Sequence, residues 1–180
     1  LYVNFEVHDA SSWLNSANEA ALLFKGGDAV EIQLSPAGNK TMSAAAGDVR
    51  FICAPFKDTT AVLEMREKAA GAKPFGSYRY SSPVSTFDFE QVGVTDRVKS
   101  EVVLRDGNYR VTLSIPWTEI GLTPKPGLKL RGDVGIIYSD TAGKMNVSRV
   151  YWANQNTGLV NDIPNEAKLN PGALGDWVLD

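Results

Sequence analysis

A chain of 180 residues with a formal net charge of −3 is long enough for one domain with a substantial buried core. Its 18 basic and 21 acidic side chains are scattered, with no Lys/Arg cluster, which excludes the electrostatic footprint of a nucleic-acid-binding protein. No apolar run approaches the roughly 18 residues of a membrane span, and one Cys with one His leaves no internal disulfide, Cys-based metal site, Ser-His-Asp or Cys-His constellation to propose.

The chain opens on strict alternation. Leu1, Val3, Phe5 and Val7 point one way while Tyr2, Asn4, Glu6 and His8 point the other, as in a strand with one dry and one wet face. After an excursion that carries a weak helix signal at 12–23, Val30, Ile32 and Leu34 alternate against Ala29, Glu31 and Gln33. The run through Cys53 alternates with Val49 and Phe51, so the thiol reads as a buried structural group. Further strands are predicted at 59–67, 87–93, 98–105, 108–115, 130–139 and 145–153. Asp106-Gly107 between two alternating runs predicts a hairpin with a type I′ turn, placing Tyr109, Val111, Leu113 and Ile115 in the core. Residues 116–122, with Pro first and Gly near the end, predict one short helical turn. Asp176-Trp177-Val178-Leu179 predicts a terminal strand.

Many short strands with Gly/Pro punctuation predict an all-β fold, an antiparallel two-sheet β-sandwich with long loops and one or two short helices, in a single domain over 1–180. The long loops at 9–26, 35–47, 68–86 and 153–175 are where a ligand site is expected. HExxH, P-loop and GxGxxG patterns are absent from the sequence, and the expectation is a noncatalytic module. Arg131-Gly132-Asp133 lies within a strand-like run, so an adhesive role for this triplet, which needs an exposed loop tip, is discounted. Of the four Trp, Trp117 and Trp177 read as structural, and Trp152, where a strand meets an Asn-rich loop, is the best exposed aromatic. Asp9 and Asp28 end and begin neighbouring segments, where hard-cation sites draw carboxylates.

Several of these segments, in order, resemble family 9 carbohydrate-binding modules and their wider DOMON-like relatives. Leu1 to Asp9 resembles the family's strand ending in Asp, and Gly27 to Ile32 its D.VEI run. Gly47 to Phe51 resembles the strand carrying an arginine, and Gly107 to Trp117 its GGY.VE..I.W segment. Val134 to Asp140 and Val150 to Trp152 are similar to its late strands. The resemblance implies a glycan site in which Glu31 and Arg50 bond sugar hydroxyls beside aromatic residues. Phe24 stands near the first aromatic position. Residues 158–164 offer no second one, so Trp152 or Tyr151, next to Asn154, would substitute. It also implies structural calcium at Asp9 and Asp28. A chain opening in mid-strand without Met is expected to be a piece of a larger secreted, cell-surface or periplasmic protein, joined to neighbouring domains. Two alternatives remain: a structural or assembly module of the same fold without a sugar site, and a haem-binding DOMON-type electron-transfer domain using His8 with Met42, Met65 or Met145.

Overall fold

The computed structural model describes residues 1–9, 11, 13–157 and 162–180. Among these described residues twelve strands are formed: β1 (Tyr2–His8), β2 (Ala29–Ser35), β3 (Val49–Phe56), β4 (Thr59–Arg66), β5 (Tyr78–Ser81), β6 (Thr86–Phe89), β7 (Gln91–Val94), β8 (Lys99–Arg105), β9 (Asn108–Ser114), β10 (Lys129–Ser139), β11 (Asn146–Tyr151) and β12 (Gly175–Val178). A three-stranded sheet in the order β1-β9-β8 faces a seven-stranded sheet in the order β11-β10-β2-β3-β4-β7, with β12 pairing β10 beyond the end of β11. Every pairing is antiparallel. This is the expected sandwich. Its core joins Phe5, Val7, Val111 and Leu113 of the small sheet to Val30, Ile32, Leu34, Phe51 and Val62 of the large one, the residues that the alternation sends inward.

Local differences from the sequence reading are instructive. The run predicted at 87–93 is broken at Glu90 into β6 and β7, which join different sheets. The segment 68–86 contains β5, and the 12–23 signal yields only a 3₁₀ turn over Ala20–Leu22. Gly107 alone adopts positive φ (70°) in the β8–β9 loop and Asp106 does not. A type I′ turn needs both, so the hairpin closes with one left-handed residue, supplied by Gly.

The larger correction concerns the outer face of the seven-stranded sheet. Alternation predicted it wet, yet Ala29, Glu31, Arg50, Ile52, Leu63 and Met65 on that face are all buried. Leu23 and Phe24, the β5–β6 hairpin with Tyr80 and Phe89, and the short helix α1 (Ile163–Ala167) pack over it as a second hydrophobic core. Period-2 alternation records which side chains are polar, not whether a loop later covers them.

Cys53 lies in the first core with no exposure. Burial pushes its thiol up to about 12, with a hydrogen bond from Ser100 only partly offsetting this. Native protein at pH 8 is therefore expected to be inert to Ellman's reagent and to release one equivalent of chromophore in denaturant. Native reaction at the rate of free cysteine would contradict the burial.

Candidate functional site

The covered face carries the charged residues that the sequence singled out. Glu31 on β2 and Arg50 on β3 are diagonal neighbours, since Arg50 pairs across the strands with Gln33. Arg50 Nε donates to Glu31 Oε2 at 3.1 Å, its Nη2 donates to the same oxygen, and Gln33 Nε2 donates to Glu31 Oε1 at 2.7 Å. The remaining Arg50 donor, Nη1, serves the carbonyls of Glu166 (2.7 Å) and Ala167 (3.1 Å) on α1. Phe24 lies under the guanidinium, 5.3 Å from ring centroid to Cζ. Burial by itself would push the Glu31 carboxyl up, but Arg50 and the hydrogen bonds hold it below the usual carboxylate range.

A cleft of about 210 Å³ opens over this pair, with Arg50, Arg149 and Tyr151 at its base and Asn154, Asn165 and Lys168 among its walls. Arg149 Nη2 bonds Glu166 Oε2 at 2.6 Å and the Phe24 carbonyl at 2.8 Å, while Lys25 Nζ holds Glu166 Oε1 at 2.7 Å. Tyr151 lies across Gly135, where a Cβ would overlap its ring, and its hydroxyl reaches Glu31. Asp133 fixes the following turn by accepting from the backbone N–H groups of Val134 (2.9 Å), Ala153 (2.8 Å) and Asn154 (2.9 Å). That clamp sets Asn154 at the cleft wall. The Oδ1 of Asn170, also at the cleft, is buried without a partner.

Four of the five residues expected to meet a ligand thus converge here: Phe24, Glu31, Arg50 and Asn154. Their exposure divides them. Phe24 and Glu31 have none and Arg50 has 1%, so they form a floor beneath the cleft, whereas Asn154 is half-buried at its wall. Trp152 does not join them. Tyr151 pairs with Gly135 on the covered face, so its neighbour Trp152 projects from the opposite face, where it is 57% exposed against Trp177. The other expected aromatic position, in 158–164, falls largely on residues 158–161, outside the described residues. Arg149, Tyr151 and Asp133 are the site residues that alternation did not single out. Their common face follows only from the β10–β11 register.

Asp28 is fully buried and accepts from the backbone N–H groups of Leu14 (2.9 Å) and Ser139 (2.7 Å). Burial raises its pKa, and the Asp9 charge adds to the rise. Asp9 Oδ1 accepts from the N–H and hydroxyl of Ser11, both at 2.9 Å, but its Oδ2 is buried without a partner, as is the Tyr109 hydroxyl. The Tyr109 phenol is pushed up by burial and by the charges of Asp28 and Asp9. Two neighbouring carboxylates, one with an unused buried oxygen, beside a phenol oxygen fit a hard cation in donor type. No group of three or more His, Cys, Asp or Glu gathers among the described residues, so backbone carbonyls and water would complete the shell. For the haem alternative, His8 is exposed outside the small sheet and Met65 buried beneath the loops of the large one, on opposite sides of the sandwich. Arg131, Gly132 and Asp133 are buried within β10.

No protein-family model matches this sequence, and no curated protein matches it. Solved structures do. A family 9 carbohydrate-binding module from Caldicellulosiruptor kristjanssonii in complex with cellotriose aligns over 99% of this chain and 68% of its own, with TM-score 0.62 and 18% identity. The same organism's family 9 module in complex with glucose gives 0.61 and 18%, over 99% and 70%. A Bacteroides uniformis protein provisionally described as carbohydrate-binding gives 0.51 and 11%, over 99% and 72%. The chain has the fold of family 9 carbohydrate-binding modules.

Proposed function

We propose that this domain is a noncatalytic carbohydrate-binding module of a secreted, surface or periplasmic multidomain protein. Its glycan binds in the cleft between Tyr151, Arg149 and Asn154, and calcium binds at Asp9 and Asp28. The observation that carries the reading is the layered cleft: a buried Glu31–Arg50 pair holds Tyr151 and α1 in place, and amides and cations stand above it as hydroxyl partners. Sugar recognition uses such fixed donors and acceptors, and the aromatic surface at the cleft is limited to the part of the Tyr151 ring left open by burial. The fold shared with glucose- and cellotriose-bound modules supports the same reading.

The test is calorimetric titration of the calcium-loaded domain against a panel of mono- and oligosaccharides. Saturable binding is expected, with Asn154→Ala weakening it about tenfold, as loss of one good hydrogen bond implies. Silence of the wild type across the panel would remove the reading. A second reading, a structural module without a sugar site, is favoured by one observation: the Phe24 ring is wholly covered and unavailable for stacking.

A further inference from the structure

The polar cleft over the seven-stranded sheet sorts its charges by depth. Its carboxylates are buried and already engaged. Glu31, with no exposure, accepts from Arg50 and Gln33. Asp133 is buried and accepts from three backbone N–H groups, those of Val134, Ala153 and Asn154. Glu166 is held by Lys25 on one oxygen and by Arg149 on the other, with its side chain 1% exposed. Of these three only Glu166 borders the open space. Among the described residues, then, the cleft shows a ligand no free carboxylate.

Its cations are not used up. Arg149 Nη2 donates to Glu166 and to the Phe24 carbonyl, while its Nη1 makes no hydrogen bond among the described residues. Lys168 stands half-buried at the wall and forms no ion pair among the described residues. Its Nζ lies 4.9 Å from the centroid of the Phe87 ring, which attracts the charge but leaves the N–H donors unspent. Glu67 feels that charge, yet it accepts from the Leu169 N–H at 2.7 Å and does not border the cleft. A neutral sugar ring settling here would cover the ammonium without supplying a counter-charge, which costs solvation. A ring carrying a carboxylate supplies that counter-charge, through charge-assisted hydrogen bonds. At about 210 Å³ the cleft is small beside the roughly 300–1,000 Å³ of drug-sized sites, so it takes one ring of a chain.

We propose that the cleft selects acidic glycans: the ring it takes is a uronic acid, whose carboxylate pairs with Lys168 and accepts from Arg149 Nη1. This rests on the carbohydrate-binding reading above and narrows it to a substrate class different from the glucose and cellotriose held by the similar modules. The amides of Asn154 and Asn165 at the same walls remain for the hydroxyls of the ring.

The experiment is calorimetry of the whole domain with matched pairs: glucose against glucuronic acid, galactose against galacturonic acid, and cellobiose against cellobiouronic acid. Each pair is titrated at low salt and again at about 0.15 M salt. At low salt the acid of the best pair is expected to bind about tenfold more tightly than its neutral partner, the increment of one charge-assisted hydrogen bond. The ratio should shrink as salt screens the pair. Lys168→Met keeps a stem over Phe87 and should abolish the difference between acid and neutral sugar, whereas Lys168→Arg should preserve it. The wild-type ratio and its salt dependence decide the proposal even where a variant folds poorly. Equal affinities for acid and neutral partners in the wild type would overturn the acid preference and spare the carbohydrate reading. A preference that survives intact in Lys168→Met would overturn the assignment to Lys168. Silence of the wild type toward both members of every pair would remove both readings.

Discussion

Replacing Arg50 by Ala is expected to destabilise the fold by about 3–5 kcal/mol, because it leaves a buried carboxylate without its directly bonded cation. Glu31 has no exposure, and Arg50 is its cationic partner as well as the strap that holds two α1 carbonyls. The pH dependence separates this from loss of packing. In the wild type, Arg50 and the hydrogen bonds overcome burial and hold Glu31 below its usual range. Its contribution is therefore complete above the unfolded value of about 4.3 and is lost as pH falls through the lower folded value. Without Arg50, only the Arg149 charge and the Gln33 hydrogen bond still oppose burial, so Glu31 is expected to rise and the variant to lose stability as pH rises from about 4 to neutrality. The gap between the two proteins in urea denaturation should widen over that interval. The double variant Glu31→Leu/Arg50→Met should recover most of the loss, since removing both charges also removes the desolvation cost. A pH-independent loss below about 1 kcal/mol would show that the pair behaves as a solvated surface bridge. For function the consequence is practical: failure of Glu31 or Arg50 variants to bind sugar would report unfolding of the floor, and wall residues such as Asn154 are the decisive ones.

Asp28→Ala is expected to cost about 2–4 kcal/mol, from two buried N–H groups, on Leu14 and Ser139, that lose their acceptor. These bonds tie the excursion after β1 to the end of β10, so the amides of Leu14 and Ser139 should be the first to lose hydrogen-exchange protection. Asn at this position keeps one acceptor and should restore about half. The calcium proposal adds a separate signature. Asp9→Ala, which removes the carboxylate with the unpartnered oxygen, should lower the melting temperature only when calcium is present. Equal losses with calcium and with chelator would remove the metal from the proposal while leaving the structural role of Asp28 intact.

The strands were largely legible. Tyr109, Val111, Leu113 and Ile115 are buried as their period-2 spacing requires, because a strand facing another sheet must alternate whatever its partner. Glu31 and Arg50 were legible as a pair through segment resemblance, but their burial was not. It comes from Phe24, Tyr80 and α1, which approach from segments well separated along the chain from Glu31. Pairing of β5 with β6 was hidden because each has four residues, too few to display a period.

Taken alone, the amino-acid sequence determined the class of fold, the inward faces of β1, β2, β3 and β9, and the inert burial of Cys53. Hydrophobic periodicity is a local property, and burying it drives the sandwich. Only the tertiary structure decided which polar residues share a site. Trp152 and Asn154 are two positions apart, yet the β10–β11 register and the Asp133 clamp send one to the opposite face beside Trp177 and the other to the amide-walled cleft. Register and loop docking depend on contacts between distant segments, and those contacts separate residues that the sequence read as one site.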